Sequence, residues 1–368
     1  MKIPDKRFLT ILGANFFFFL NFSQLILMPK YILHIGLTPE DVGFVMGAFS
    51  ITVLAALPVV GFVSRRISNR ALFVTGAGLM CFTTPIYVSA CDTHALLYAL
   101  RIVQGIGFSS AFGISAAMVF DIYGESEQRL HIGILTVCNI ITHALGPSLG
   151  EYLIIHYGYD AYFWVGACFG IISFVMGFFL PGKAKRLKTS SGSCRRAYPC
   201  AAGTTIMGMI FGSVAIFMPP YLETLSIVDS SPFFISFVSG SLLVWFFLHR
   251  YMKNLRDASS WMIAVLFFVL LPLCSGCLDK IHMLVVISVL FGAGYGYLYP
   301  TLNTIMLRAI PDKTSAANTV FVWSFNLGML IASVGSGLII DRWGYRIAFF
   351  ITGAAGVFLL GLKGRLND

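Results

Sequence analysis

The sequence predicts an all-α membrane protein whose twelve transmembrane helices form two pseudo-symmetric six-helix bundles. Three observations predict this. Of 368 residues, 57% are hydrophobic and only 11% are charged, whereas a soluble domain carries about 25% charged residues. The apolar residues fall in runs of about 20, the length that crosses a hydrocarbon core. The second half of the chain also repeats the first: "RIVQGIGF" at 101–108 answers "VLFGAGYG" at 289–296, and "YLIIHYGYDAYFW" at 152–164 answers "GLIIDRWGYRIAFF" at 337–350.

Taken in order, the first span covers 8–29. Its basic start resembles a signal peptide, but the run has spanning length and no small-residue cleavage site. The second covers 40–60 and ends at the basic loop holding Arg65, Arg66 and Arg70. The third covers 71–91. The fourth, 95–119, carries Arg101, and the fifth, 131–155, carries a Gly146-Pro147 pair. The sixth, 161–181, closes the N-terminal bundle (residues 1–181). A basic linker, 182–199, leads to the C-terminal bundle (residues 200–368), with spans at 200–222, 232–248, 260–277, 282–306, 316–340 and 347–362.

Charge orients these spans. With a cytoplasmic N-terminus, 20 of the 25 Lys and Arg residues fall on the cytoplasmic face, as the positive-inside rule requires. Only Lys30, Lys280, Arg342 and Arg346 fall outside, and Arg101 lies within a span. Both termini are therefore expected in the cytoplasm of a multi-pass cytoplasmic (inner) membrane protein. The net charge of +9 is a topology signal, and no nucleic-acid partner is expected. The linker is placed to meet anionic lipid headgroups. The eight cysteines lie mostly in apolar runs, which argues against a disulfide framework. Cys274-Ser275-Gly276-Cys277 reads either as a redox or metal pair or as two small thiols at a helix end. No second pair or His cluster accompanies it, so no metal and no cofactor are expected. The absence of G-x-x-x-x-G-K-[S/T] argues against direct drive by ATP.

Gly146-Pro147-Ser148-Leu149-Gly150 fits the G-x-S-x-G pattern of a serine hydrolase. That motif needs a strand–turn–helix, and no strand precedes it. His143 also lies about 140° from Ser148 around a helix. The enzyme reading therefore remains only as a remote alternative, an intramembrane hydrolase. Asn139, Thr142, His143, Gly146 and Gly150 share one helical face, and small residues there let another helix approach. With a bend permitted by Pro147, this face is a candidate moving interface between bundles.

Three motifs carry a family resemblance over essentially the whole chain. Span four holds R-x-x-Q-G-x-G through Arg101, Gln104, Gly105 and Gly107. Span five holds Gly133, Thr142, Gly146-Pro147 and Gly150. The loop after span two keeps Gly61, Arg66 and Arg70. In these the chain resembles the major facilitator superfamily, closest to its drug/proton antiporter-type members. Four positions depart from the family pattern: Arg65 stands where an aspartate is usual, Ser68 where glycine is usual, and Thr142 and Glu151 of span five where glycines are usual. The resemblance implies the major facilitator fold, alternating access, and a pathway lined by spans one, four, seven and ten.

Candidate residues follow. Arg101 inside a span costs about 2.5–3.5 kcal/mol on insertion scales, so it should face the interior. There it either ties to backbone carbonyls or serves an anionic group or proton carrier. No acid lies near a membrane midplane. Glu151, eight residues past His143 on roughly the same face, is the best remaining carboxylate, with Glu223 second. Proton coupling is assigned to Glu151, His143 and Arg101. Substrate binding is assigned to Asn21, Gln24, Arg101, Asn139, His143, Tyr295, Tyr299, Asn303, Trp323 and Asn326. Gating is assigned to Gly146, Pro147, Gly150, Arg65, Arg66 and Asp121. The expected function is proton-coupled export of a small organic molecule by a monomer. The alternative is transport of an anionic metabolite or metal-chelating compound, drawn by Arg101 and Lys30.

Overall fold

The computed structural model describes residues 5–64, 66–89, 94–182, 197–251, 258–278, 280–310 and 314–361. Arg65 and residues 183–196 of the basic linker lie outside the described residues. Thirteen helices follow one another among those described: α1 (Lys6–Gln24), α2 (Met28–His34), α3 (Pro39–Val63), α4 (Asn69–Thr83), α5 (His94–Ala111), α6 (Ile114–Ile122), α7 (Glu125–Gly177), α8 (Tyr198–Thr224), α9 (Ser231–Tyr251), α10 (Ala258–Leu273), α11 (Ile281–Ala309), α12 (Thr314–Trp343) and α13 (Tyr345–Ala355). They supply the twelve spans: α1 with α2 makes the first, α5 with α6 the fourth, and α7 is long enough for the fifth and sixth together.

The breaks fall where the sequence reading did not put them. Span one is interrupted by a 3-10 turn at Leu25–Leu27. Pro29 explains it: without an N–H it cannot bond Leu25 O, and its ring crowds that carbonyl. Span four breaks at Gly113, which has φ +78°. Helix α7 keeps helical backbone angles through Pro147, and its one non-helical residue is Gly158, with φ 80° and ψ −179°. The span expected at 260–277 ends its α-helix at Leu273, with a 3-10 turn at Ser275–Cys277. Cys274 and Cys277 are both free thiols.

The helices gather into two compact units. The first comprises Met1–Leu27 and Ile51–Leu187, the second Met28–Ser50 and Lys188–Asp368. The segment 28–50, which the sequence counts with the first bundle, thus packs within the second unit. Its seam there is close: a methyl group at Gly337 of α12 would sit 2.8 Å from Pro39 O and 2.9 Å from Gly43 Cα.

The internal repeat is written in the backbone. Gly344 opens the last span of the second half with φ 83° and ψ 168°, the counterpart of Gly158 in the first. Only glycine adopts this region readily, and another residue there costs on the order of 1–3 kcal/mol. Gly158→Ala and Gly344→Ala should therefore each lower the midpoint of thermal unfolding in detergent. Gly61→Ala, at a helical position with open space around it, should not.

Candidate functional site

The first unit concentrates buried polar chemistry around the break in span one. With Pro29 unable to donate, Leu25 O takes its hydrogen bond from Arg101 Nη2 at 3.4 Å. The neighbouring Gln24 O receives one from the Tyr162 hydroxyl at 2.7 Å. Arg101 is 3% exposed. Its Nη1 donates to Gln104 Oε1 at 3.2 Å, and its guanidinium lies 5.9 Å from the Tyr87 ring centroid. The Tyr87 hydroxyl also donates to Gln104 Oε1, at 3.0 Å. The arginine that the sequence singled out is thus tied to a backbone carbonyl that a proline has set free.

Glu151 is fully buried in α7. It and Arg101 both lie within electrostatic reach of the Tyr162 hydroxyl, so the two charges belong to one neighbourhood. The face of α7 that leads to Glu151 packs on α1. Asn139 Oδ1 accepts from Asn15 Nδ2 at 2.5 Å. Thr142 Oγ1 accepts from Ser23 Oγ at 3.3 Å, and His143 Nδ1 lies 3.2 Å from Ser23 Oγ. A methyl group at Gly146 would sit 2.8 Å from the backbone N of Gln24, and one at Gly150 would sit 2.8 Å from Leu27 Cδ1. This small-residue face therefore meets span one of its own unit, where the sequence reading had placed a seam between bundles. His143 serves Ser23, and Ser148 Oγ has no hydrogen-bond partner among the described residues. The hydrolase arrangement is not formed.

Asn21 and Gln24, read from the sequence as substrate ligands, turn into the bundle. Asn21 Nδ2 donates to Gly166 O at 2.7 Å and to Thr84 Oγ1 at 3.2 Å, and Gln24 Nε2 donates to Tyr162 O at 2.7 Å. Tyr162, Tyr87 and Ser23 were missed. Each acts as a hydrogen-bond partner of a predicted residue, and nothing in a single sequence marks such a partner.

The second unit gathers aromatic rings at the predicted positions of α11. Tyr295 stacks on Phe211 with centroids 4.8 Å apart, and Tyr299 lies 5.4 Å from Tyr295. Phe325 joins both Phe211 (5.7 Å) and Tyr299 (5.6 Å), while Phe321 meets Tyr299 edge-on at 4.9 Å. On α12 the face that joins this cluster is Phe321 and Phe325. The predicted Trp323 is 39% exposed, and Asn326 Nδ2 bonds Val322 O of its own helix at 2.9 Å. The i, i+4 spacing of Phe321 and Phe325 was available in the sequence, but 34 phenylalanines hide it. Asn303 Oδ1 is buried with no partner among the described residues.

Of the other residues assigned to gating, Arg66 and Asp121 are described. Asp121 accepts from Asn69 Nδ2 at 3.1 Å. The Arg66 guanidinium lies 5.3 Å from the centroid of the Phe62 ring. Glu223, the second carboxylate candidate, pairs with Lys30 at 2.9 Å; the lysine side chain is 1% exposed and the glutamate 40%. Lys30 also donates to Val228 O at 2.9 Å. Removing one partner of such a pair is not symmetric, because a buried charge left alone is the costly outcome. Glu223→Ala should therefore lower the thermal midpoint more than Lys30→Met, which leaves only a solvated glutamate behind.

The sequence matches the family model described as Major Facilitator Superfamily over residues 10–321 and again over 258–364. It is 25% identical over 281 residues to the "Major facilitator superfamily multidrug transporter mfsC" of Aspergillus fumigatus, covering 67% of this chain and 54% of that one. It is 26% identical over 237 residues to the "Uncharacterized MFS-type transporter YwoD" of Bacillus subtilis, covering 64% and 50%. It is 22% identical over 377 aligned positions to the "Quinolone resistance protein NorA" of Staphylococcus aureus, covering 97% and 95%. The chain thus spans about half the length of the first two relatives and nearly all of the third. In fold it is similar to the crystal structure of nucleoside transporter NupG, with a TM-score of 0.80 at 11% identity, covering 99% of this chain and 100% of that one.

Proposed function

The chain belongs to the Major Facilitator Superfamily, and on that premise we propose that it exports small organic molecules in exchange for protons by alternating access. The observation that carries the reading is Glu151. Among the described residues it is the only buried acidic side chain, and it shares its surroundings with the buried Arg101. A carboxylate in a membrane helix is expensive and marks ion or proton pathways. His143 acts as a polar partner to Ser23. The half-buried aromatic rings of Phe211, Tyr295, Tyr299 and Phe325 supply surfaces on which an apolar organic body can stack. Relatives named for multidrug transport and quinolone resistance support a substrate of that kind.

The anionic-substrate reading has less support. Lys30 is neutralised by Glu223, and Arg101 is engaged with Leu25 O and Gln104. The proposal includes a monomer in the cytoplasmic membrane, with both termini and the basic linker on the cytoplasmic side, near anionic lipid. No cofactor is part of it. The test is a panel of amphipathic compounds assayed in proteoliposomes with and without an imposed pH gradient. Accumulation of at least one compound that collapses with the gradient supports the reading. Transport that ignores the gradient overturns it.

A further inference from the structure

Cys274-Ser275-Gly276-Cys277, to which the transport reading gives no role, forms the turn that follows α10. Cys274 caps a 3-10 turn at Ser275–Cys277, and Cys277 N donates to Cys274 O at 2.9 Å. In this geometry side chains three apart eclipse, and the backbone rises about 2 Å per residue. The two Cα atoms therefore stand about 6 Å apart with their side chains on one side. A disulfide spans roughly 4.4–6.8 Å between Cα atoms. The turn is anchored to α8: the Tyr221 hydroxyl donates to Ser275 O at 2.8 Å and accepts from Arg346 Nε at 3.3 Å. Gly276 faces open space, since a methyl group there would meet nothing within 4 Å. Cys277 is exposed and Cys274 partly so, and both are thiols in this structure. The other described cysteines, Cys81, Cys138, Cys168 and Cys200, stand within α4, α7 and α8 with no cysteine three residues away.

We propose that Cys274 and Cys277 form a reversible thiol–disulfide site on the outer face of the membrane. The placement rests on the proposed orientation, in which α10 runs outward from the basic stretch 250–256. Disulfides form and persist in oxidising space outside the cytoplasm. The oxidant is a small-molecule disulfide. The Cys277 thiolate attacks one of its sulfurs, forming a mixed disulfide and releasing one thiolate, which takes up the Cys277 proton. The Cys274 thiolate then attacks Cys277 Sγ, closes the ring and releases the second thiolate, which takes up the Cys274 proton. Two cysteine thiols are oxidised, and one donor disulfide is reduced to two thiols. The exposure of Cys277 leaves the closed ring within reach of dithiols, which reverse these steps.

The test uses the full chain in detergent, treated with oxidised glutathione, alkylated and digested with trypsin. Both cysteines fall in one peptide, 257–280, which holds no other cysteine. That peptide should be two hydrogens lighter and take up no alkyl group, and dithiothreitol should restore both alkylation sites. Cys274→Ser should instead carry one glutathione on Cys277. Wild-type peptide that carries glutathione on both sulfurs, or keeps two free thiols, overturns the inference and leaves the orientation untouched. Intact cells are then reduced and labelled with a membrane-impermeant maleimide, which should modify peptide 257–280. Ring closure in detergent with labelling only after the cells are permeabilised overturns the outer placement, and the orientation with it.

Discussion

Glu151→Gln should abolish accumulation driven by a pH gradient while exchange of substrate across the membrane without a gradient survives. Glutamine keeps the volume and one oxygen of the side chain but cannot take up or release a proton. The effect should be close to complete, because no second acidic side chain is buried among the described residues. Glu223, the nearest alternative in the sequence reading, is 40% exposed and committed to Lys30. His143→Ala should be milder than Glu151→Gln, since its ring is hydrogen-bonded to Ser23 and its loss leaves the carboxylate in place. Flux assays on matched proteoliposomes distinguish the two. Equal and complete loss in both variants would make the pair, rather than the carboxylate, the carrier.

Gly146→Leu should abolish transport and lower the thermal midpoint. A methyl group at this position already sits 2.8 Å from the backbone N of Gln24 and 2.9 Å from Ser23 Cβ. Backbone cannot step aside as a flexible side chain can, so leucine must push α1 off α7. Overpacking of this kind costs about 1–3 kcal/mol. The displacement falls on Ser23–Leu27, where Arg101 and Tyr162 hold the two carbonyls at the break in span one. The geometry around Glu151 is then lost along with the packing. Ser148→Ala, on the same helix, should leave both flux and stability unchanged. Wild-type flux in Gly146→Leu would show that the close approach of α1 and α7 is dispensable.

The spans were legible in the sequence because their signal is summed over some 20 residues. The two-half organisation was legible too, and Gly158 and Gly344 show how literally the backbone repeats. Irregularities were harder to read. Pro29 was visible, yet it acts on Leu25 four residues earlier, and the carbonyl it releases is met by an arginine 76 positions away. Pro147 was read as permitting a bend, and α7 keeps helical backbone angles there. In the candidate site, Arg101 and Glu151 stood out because charge is rare in an apolar run. Asn21 and Gln24 were picked for polarity alone, which does not say whether a side chain faces a pathway or its own bundle. The aromatic cluster was half legible: Tyr295 and Tyr299 carry hydroxyls that mark them, while Phe211 and Phe325 do not differ in sequence from their many neighbours.

Proton movement coupled to substrate movement tests the central claim most directly. Proteoliposomes enclosing a pH-sensitive dye, with no imposed pH gradient, are given an outward-directed gradient of a compound transported by the protein. Wild-type protein should move protons in the direction opposite to the compound, at a fixed ratio, and Glu151→Gln should move none. Substrate flux through the wild type with no accompanying proton movement would contradict the account.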